Sequence, residues 1–202
     1  MSEITKIIIS AEELRQDSWK LAARIFAKEE PFDLVIGLAR GGVPIALYLQ
    51  EFFLMAWPDH PAAYASLRCR SYRGIASAGE VAIGNKSEAW RELGDGSRIL
   101  IVDDIFDRGT TIDAVLKALL RDAPRPLTIK TATLHYKPEN SQVSIQPDYY
   151  EKVFNGGDWI VYPQSLSDFQ DEWDGIAKMG LPADIADTVR REIAERAKDA
   201  EE

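Results

Sequence analysis

The sequence predicts an α/β fold, a mainly parallel twisted sheet flanked by helices, and two apolar stretches are the main reason. Residues 32–37 and 99–102 are short and rich in aliphatic side chains, without the regular polar alternation of half-exposed strands. Each is followed by a turn of small residues and then by apolar side chains at helical spacing. A strand, a loop and a helix in repeated order indicate parallel strands with helices on the faces of the sheet.

The remaining elements are predicted from local patterns. Isoleucines at 4 and 7–9 indicate a first strand, and Ser10 with Glu13 has the spacing of a capping box before an amphipathic helix. Further strands are expected at 62–70 and 127–135, and residues 149–154 alternate like a half-exposed strand. Two helical patterns, divided by Gly180-Leu181-Pro182, end the chain.

Composition favours one domain. A chain of 202 residues with 46% hydrophobic residues can bury one core, and nothing in it demands a second. We therefore expect a single domain over residues 1–202, with a C-terminal helical extension at about 165–199.

Charge and cysteine content exclude several classes of protein. The net charge of −9 argues against general nucleic-acid binding, which needs clustered Lys and Arg. The single cysteine, Cys69, cannot form an intramolecular disulfide and is interpreted as a small filler in a strand. No stretch approaches eighteen apolar residues and no leader pattern begins the chain, so we expect a cytoplasmic protein without membrane contact.

The most informative stretch is the one that follows the strand at 99–102. Asp103 and Asp104 come first, and then the turn Asp107-Arg108-Gly109-Thr110-Thr111 leads into a helix that begins near Thr111. Ligands of open α/β sheets bind outside the carboxyl ends of the strands, and a helix N-terminus favours an anion. The pattern indicates a site for a phosphate and for a ribose or Mg²⁺, although a solvated Asp pair before an ordinary helix cap is the alternative.

This stretch resembles the PRPP-binding motif of type I phosphoribosyltransferases, most like the hypoxanthine-guanine and xanthine-guanine enzymes. The resemblance implies that Asp103 and Asp104 hold the ribose hydroxyls of 5-phosphoribosyl-1-diphosphate (PRPP). It implies a loop for the 5-phosphate made of Asp107, Arg108, Gly109, Thr110 and Thr111. Arg108 departs from the family pattern, which commonly has Thr there, so a hydroxyl is exchanged for a cation and binding is expected to survive.

Two more loops take their roles from the resemblance. Ala39-Arg40-Gly41 is similar to the pyrophosphate loop of the purine enzymes, and a cis peptide bond is expected between Ala39 and Arg40. Ser71-Tyr72 resembles the start of the flexible loop that closes over the site in that family, with an idle hairpin as the alternative.

The base would be bound by residues later in the chain. Lys137, followed by a proline, is similar to the lysine that bonds the 6-oxygen of the purine. Trp159 and Ile160 resemble the hood of the xanthine-guanine enzymes, where the aromatic ring stacks on the base and the next carbonyl meets its edge. The hood is placed at about 139–163, and Trp159 as a plain core residue is the alternative.

The resemblance implies transfer of 5-phosphoribose from PRPP to a 6-oxopurine, giving a nucleoside monophosphate and pyrophosphate in purine salvage. It implies Mg²⁺ at Asp103 and Asp104, Asp107 as the general base at the purine N7, and a homo-oligomer, either a dimer or a tetramer. Two alternatives remain: a regulatory protein that senses PRPP or nucleotides on the same fold, and a phosphoribosyltransferase for another base.

Overall fold

The computed structural model describes residues 6–71, 81–84, 93–122, 126–169 and 173–199. The chain divides into two compact units, one of residues 15–156 and one that joins residues 1–14 to 157–202. The assignment of one domain with a hood and an extension stays a prediction.

The secondary structure in the described ranges alternates strands and helices. The strands are β1 (Lys6–Ile8), β2 (Leu34–Ala39), β3 (Ala63–Ser71), β4 (Val81–Gly84), β5 (Arg98–Phe106), β6 (Thr128–Tyr136), β7 (Tyr149–Val153) and β8 (Trp159–Val161). The α-helices are α1 (Ala11–Phe26), α2 (Gly42–Ala56), α3 (Thr110–Asp122), α4 (Trp173–Lys178) and α5 (Ala183–Asp199). Short 3₁₀ helices cover Pro138–Asn140 and Leu166–Phe169.

The larger unit is built on a six-stranded sheet in the order β4-β3-β2-β5-β6-β7. All neighbours are parallel except β3 and β4, so the α/β fold class with a mainly parallel sheet is confirmed. The central strands β2 and β5 are buried, as their apolar runs predicted, and α3 packs on them through Val115 and Leu119.

Two boundaries differ from the sequence prediction. β5 does not end at Val102 but continues to Phe106, because Asp103, Ile105 and Phe106 still pair with β6. The segment 149–153, which the sequence analysis placed in the hood, is the edge strand β7 of the large sheet. Both differences arise from pairing with β6, which a local pattern does not record.

The smaller unit is organised by its own two-stranded sheet. β1 and β8 pair in parallel, with Ile7 opposite Ile160. Val161, Phe169 and Ile176 form its buried cluster. At the start of α1 the backbone N–H of Glu13 donates to Ser10 Oγ at 3.1 Å, which is one half of the predicted capping box. None of the helices in the described ranges is both long enough and apolar enough to cross a membrane.

Helix α2 begins in direct contact with the backbone of β5. A Cβ atom on Gly42 would overlap the carbonyl oxygen of Val102 and the Cα atom of Asp103. Backbone atoms of a central strand cannot move without disturbing both of its neighbours. The position therefore requires glycine.

Gly42→Ala is expected to lower the free energy of unfolding by about 2–3 kcal/mol, because the added methyl overpacks against β5. Urea unfolding followed by circular dichroism measures the change. Gly94→Ala is the matched control, since the nearest heavy atom to its Cβ would be Ser97 Oγ at 4.0 Å. Equal stability of the two variants would contradict the close approach at Gly42.

His135 is fully buried in β6, beside Lys152 of β7 and edge-on to Phe154. Burial, and then the charge of Lys152, lower the pKa of His135 to about 4, although Asp17 acts in the opposite direction. In the unfolded chain the pKa is near the ordinary 6.5. As the pH falls below 6.5 the unfolded state takes up the proton first, so His135 destabilises the fold progressively down to about pH 4.

The contribution of His135 to the free energy of unfolding is expected to fall by about 2 kcal/mol when the pH is lowered from 7 to 5. The raised pKa values of Asp103 and Asp104 act with the opposite sign in this range, so the comparison has to be made against a variant. Urea titrations of the wild type and of His135→Gln at both pH values isolate the effect. A wild-type stability that changes with pH in the same way as that of the variant would exclude it.

Candidate active site

A pocket of about 290 Å³ lies where β5 passes into α3. Residues 103–112 line it, which include both carboxylates and the whole turn that the sequence analysis selected. A single continuous stretch forms this wall because the strand end, the turn and the first helical turn follow one another without an intervening loop.

Asp103 and Asp104 are partly buried side by side in the last part of β5. Asp103 Oδ1 accepts the backbone N–H of Asp104 at 3.0 Å, and Asp104 Oδ1 accepts that of Ile105 at 2.8 Å. Burial, and then the neighbouring Asp104, raise the pKa of Asp103 well above its usual range, and burial raises the pKa of Asp104 to about 6. The pair is therefore suited to a ligand that brings hydroxyl donors or positive charge.

The loop between β2 and α2 reaches this carboxylate pair. The peptide bond between Ala39 and Arg40 is cis, as predicted. A Cβ atom on Gly41 would overlap the carboxylate of Asp104, so the loop backbone lies directly against that side chain. The structure thus brings the predicted pyrophosphate loop and the predicted ribose carboxylates together.

Gly109 makes the turn into α3 possible. Its φ is +76°, and a Cβ there would also overlap the ring of Phe106 and the side chain of Val143. The carbonyl of Gly109 accepts the N–H of Asp113 at 3.0 Å, which begins the helix. Thr110 and Thr111 then occupy its first turn, where backbone donors and the helix dipole favour an anion.

Lys137 and Asp107 are brought close by the exits of two adjacent strands. The backbone N–H of Lys137 donates to the carbonyl of Phe106 at 2.9 Å, and the lysine is 5% exposed. The backbone N–H of Gln142 likewise donates to the carbonyl of Arg108 at 3.0 Å. The segment after β6 is thereby fastened along residues 107–111, the predicted phosphate turn.

The sequence analysis missed Asn140. Its Nδ2 donates to Asp107 Oδ1 at 2.6 Å and to the carbonyl of Gly156 at 3.0 Å. The available signal was its position in Lys-Pro-Glu-Asn, three residues after Lys137. That position could not reveal its partner, which lies 33 residues earlier in the chain.

Trp159 and Ile160, the residues predicted to contact the base, belong to the smaller unit. Trp159 is 50% exposed, and its Nε1–H donates to Asp168 Oδ2 at 3.3 Å. Ile160 is buried. Ser71 ends β3, and Tyr72 lies outside the described residues.

The surroundings of Cys69 disfavour its reactive thiolate form. Burial, and then the charge of Asp103, raise its pKa to about 12, so the thiol stays protonated near neutral pH. This agrees with the interpretation of Cys69 as a filler.

Comparisons with known proteins identify the family. The sequence profile of the phosphoribosyl transferase domain matches residues 6–168. A hypoxanthine-guanine phosphoribosyltransferase of Lactococcus lactis is 35% identical over 148 residues, which are 72% of this chain and 75% of that protein. The bifunctional protein PyrR of a Synechococcus strain is 33% identical over 115 residues, 57% of this chain and 61% of that protein.

A solved structure shares the architecture. The crystal structure of a purine phosphoribosyltransferase from Pyrococcus horikoshii superposes with a TM-score of 0.59 at 26% identity, covering 79% of this chain and 94% of that one. The profile match, the relative of 35% identity and the shared fold lead to one conclusion: the chain belongs to the phosphoribosyltransferase family.

Proposed function

We propose that this protein transfers 5-phosphoribose from PRPP to a 6-oxopurine. The bond between the sugar carbon and pyrophosphate breaks, and a bond from that carbon to a purine ring nitrogen forms. The products are a purine nucleoside monophosphate and pyrophosphate. The observation that carries the proposal is the contact of the Gly41 loop with Asp104 at the mouth of the phosphate turn.

The sugar and its phosphates would be held by three neighbouring groups. Asp103 and Asp104 accept hydrogen bonds from the ribose hydroxyls, and their charge stabilises the positive charge that develops on the sugar. Residues 107–111 bind the 5-phosphate with backbone and hydroxyl donors, and exposed Arg108 adds a cation beside it. Ala39, Arg40 and Gly41 hold the leaving pyrophosphate, with the guanidinium of Arg40 supplying donors.

The residues present fit a bound Mg²⁺. Two partly buried, adjacent carboxylates with raised pKa values favour a ligand that brings positive charge, and Mg²⁺ is commonly held by one or two carboxylates together with substrate phosphates. Asp103 and Asp104 would hold the ion, which when bound neutralises charge on the pyrophosphate.

The base would be recognised by residues later in the chain, together with Asp107 from the phosphate turn. Lys137 donates to the 6-oxygen of the purine, and Asp107 takes the proton from its N7 as a general base. Trp159 stacks on the purine ring, and Ile160 meets its edge through the backbone carbonyl. The similarity to the Lactococcus lactis enzyme supports this choice of base.

The similarity to the PyrR protein favours a second candidate. On that view the chain is a regulatory protein that uses the same fold to sense PRPP or a nucleotide. It would otherwise be a phosphoribosyltransferase for another base. The contacts that hold PRPP would be the same in each case, so the base has to be tested directly.

Pyrophosphate release is the decisive measurement. The purified protein is incubated with PRPP and Mg²⁺, and hypoxanthine, guanine, xanthine, adenine and uracil are added one at a time. Turnover with at least one oxopurine and not with adenine or uracil is expected. Turnover with uracil alone, or PRPP binding without turnover of any base, would replace the proposal by the second candidate.

Lys137→Ala is expected to lower kcat/KM for the preferred oxopurine by about 10- to 100-fold, the value of a hydrogen bond from a charged donor. Steady-state kinetics at saturating PRPP measure the loss, and discrimination against adenine is expected to shrink with it. Lys130→Ala is the matched control, since Lys130 lies in β6, the strand that Lys137 follows, and pairs with Glu29 and Asp148. Unchanged base preference in Lys137→Ala would remove the specificity role.

A further inference from the structure

Among the described residues, the side chain of the proposed general base, Asp107, accepts a hydrogen bond from Asn140. Asn140 Nδ2 also donates to the carbonyl of Gly156. The two acceptors, Asp107 Oδ1 and the carbonyl oxygen of Gly156, can only accept hydrogen bonds. This fixes the orientation of the Asn140 side-chain amide. If the amide were flipped, its Oδ1 would face these two acceptor oxygens and no hydrogen bond could form.

Asn140 is itself held in place from several directions. It ends the 3₁₀ helix Pro138–Asn140, and its backbone N–H donates to the carbonyl of Lys137 at 3.2 Å. The neighbouring Glu139 accepts the N–H of Gly156 at 3.1 Å through Oε2, a bond that does not involve the Asn140 side chain. A Cβ on Gly156 would overlap Asn140 Oδ1, so the Asn140 side chain can adopt this position only because residue 156 is glycine.

We propose that Asn140 is a positioning residue, which holds the carboxylate of Asp107 at the angle needed to take a proton from the base. The hydrogen bond of 2.6 Å ties Oδ1, and no hydrogen bond to Oδ2 is found among the described residues. One oxygen is therefore anchored while the other remains available for the proton. This inference rests on the proposed function, since it assigns a role within the same reaction.

The physical argument concerns rotation of the carboxylate. Asp107 lies in the turn after β5, outside the paired strand, and its anchor comes from the 3₁₀ helix that follows β6. A small misplacement of a reacting group can cost a large factor in rate without weakening substrate binding. Loss of the anchor therefore affects kcat more than KM.

Asn140→Ala is expected to lower kcat by about 10- to 100-fold, with the KM for PRPP changed by less than about twofold. Asn140→Asp keeps the shape but replaces the donor by a carboxylate, so at pH 8 it is expected to lose at least as much. Full activity in Asn140→Asp would overturn the proposal, because shape alone would then suffice.

A double-mutant cycle separates positioning from a general structural effect. Asp107→Asn alone is expected to lower kcat by about 100-fold or more. In that background, Asn140→Ala is expected to add less than about a twofold loss, since Asn140 acts through Asp107. A full additional loss in the double variant would assign Asn140 a structural role and overturn the proposal.

Glu139→Ala is the matched control. It removes the other anchor of Gly156 without touching Asp107, and its kcat is expected to stay within about twofold of the wild type. A loss equal to that of Asn140→Ala would show that the effect passes through Gly156, against the proposal. Thermal melts of all variants verify that each is folded.

These experiments separate a failure of the proposed function from a failure of the positioning role of Asn140. A wild-type protein that turns over no base would overturn the proposed function and the positioning role together. Turnover by the wild type with an additive cycle would overturn the positioning role alone.

Discussion

Two adjacent carboxylates kept partly buried at the end of β5 are the constraint on which the rest of the larger unit depends. Their burial raises both pKa values, and the backbone N–H groups of Asp104 and Ile105 compensate only in part. Burial of two like charges costs free energy, and a ligand that brings hydroxyl groups or positive charge would offset that cost. Neighbouring elements are accordingly arranged to leave the pair accessible.

Glycines at two places create that access. Gly41 and Gly42 let α2 begin against the carboxylate of Asp104 and the backbone of β5, where any side chain would overlap. Gly109, with φ at +76°, turns the chain into α3 and brings the first helical turn to the same pocket. The pocket thus combines carboxylates, which can accept hydrogen bonds from hydroxyl groups, with a helix N-terminus, which favours an anion.

Further hydrogen bonds join the C-terminal end of β5 and the turn after it to the segment that follows β6. Lys137 and Gln142 donate backbone hydrogen bonds to Phe106 and Arg108, and Asn140 donates its side-chain amide to Asp107. Residues that would handle the base and its proton are therefore fixed on the same scaffold as those that would bind the phosphate. In the smaller unit, the Nε1–H of Trp159 donates to Asp168 and so orients a half-exposed ring.

Local rules were enough to predict the α/β class and the order of strand, turn and helix after residue 98, and the resemblance of Ala39-Arg40-Gly41 to a family motif implied the cis bond before Arg40. Those features rest on residues close in the sequence, where apolar runs, small turn residues and a recognisable motif report directly on the backbone. Tertiary structure decided the continuation of β5 to Phe106, the place of β7 at the sheet edge, and the contact of Asn140 with Asp107. Each of these depends on strands or loops that meet across long separations in the chain, and such pairings leave no periodicity in the sequence from which they could be predicted.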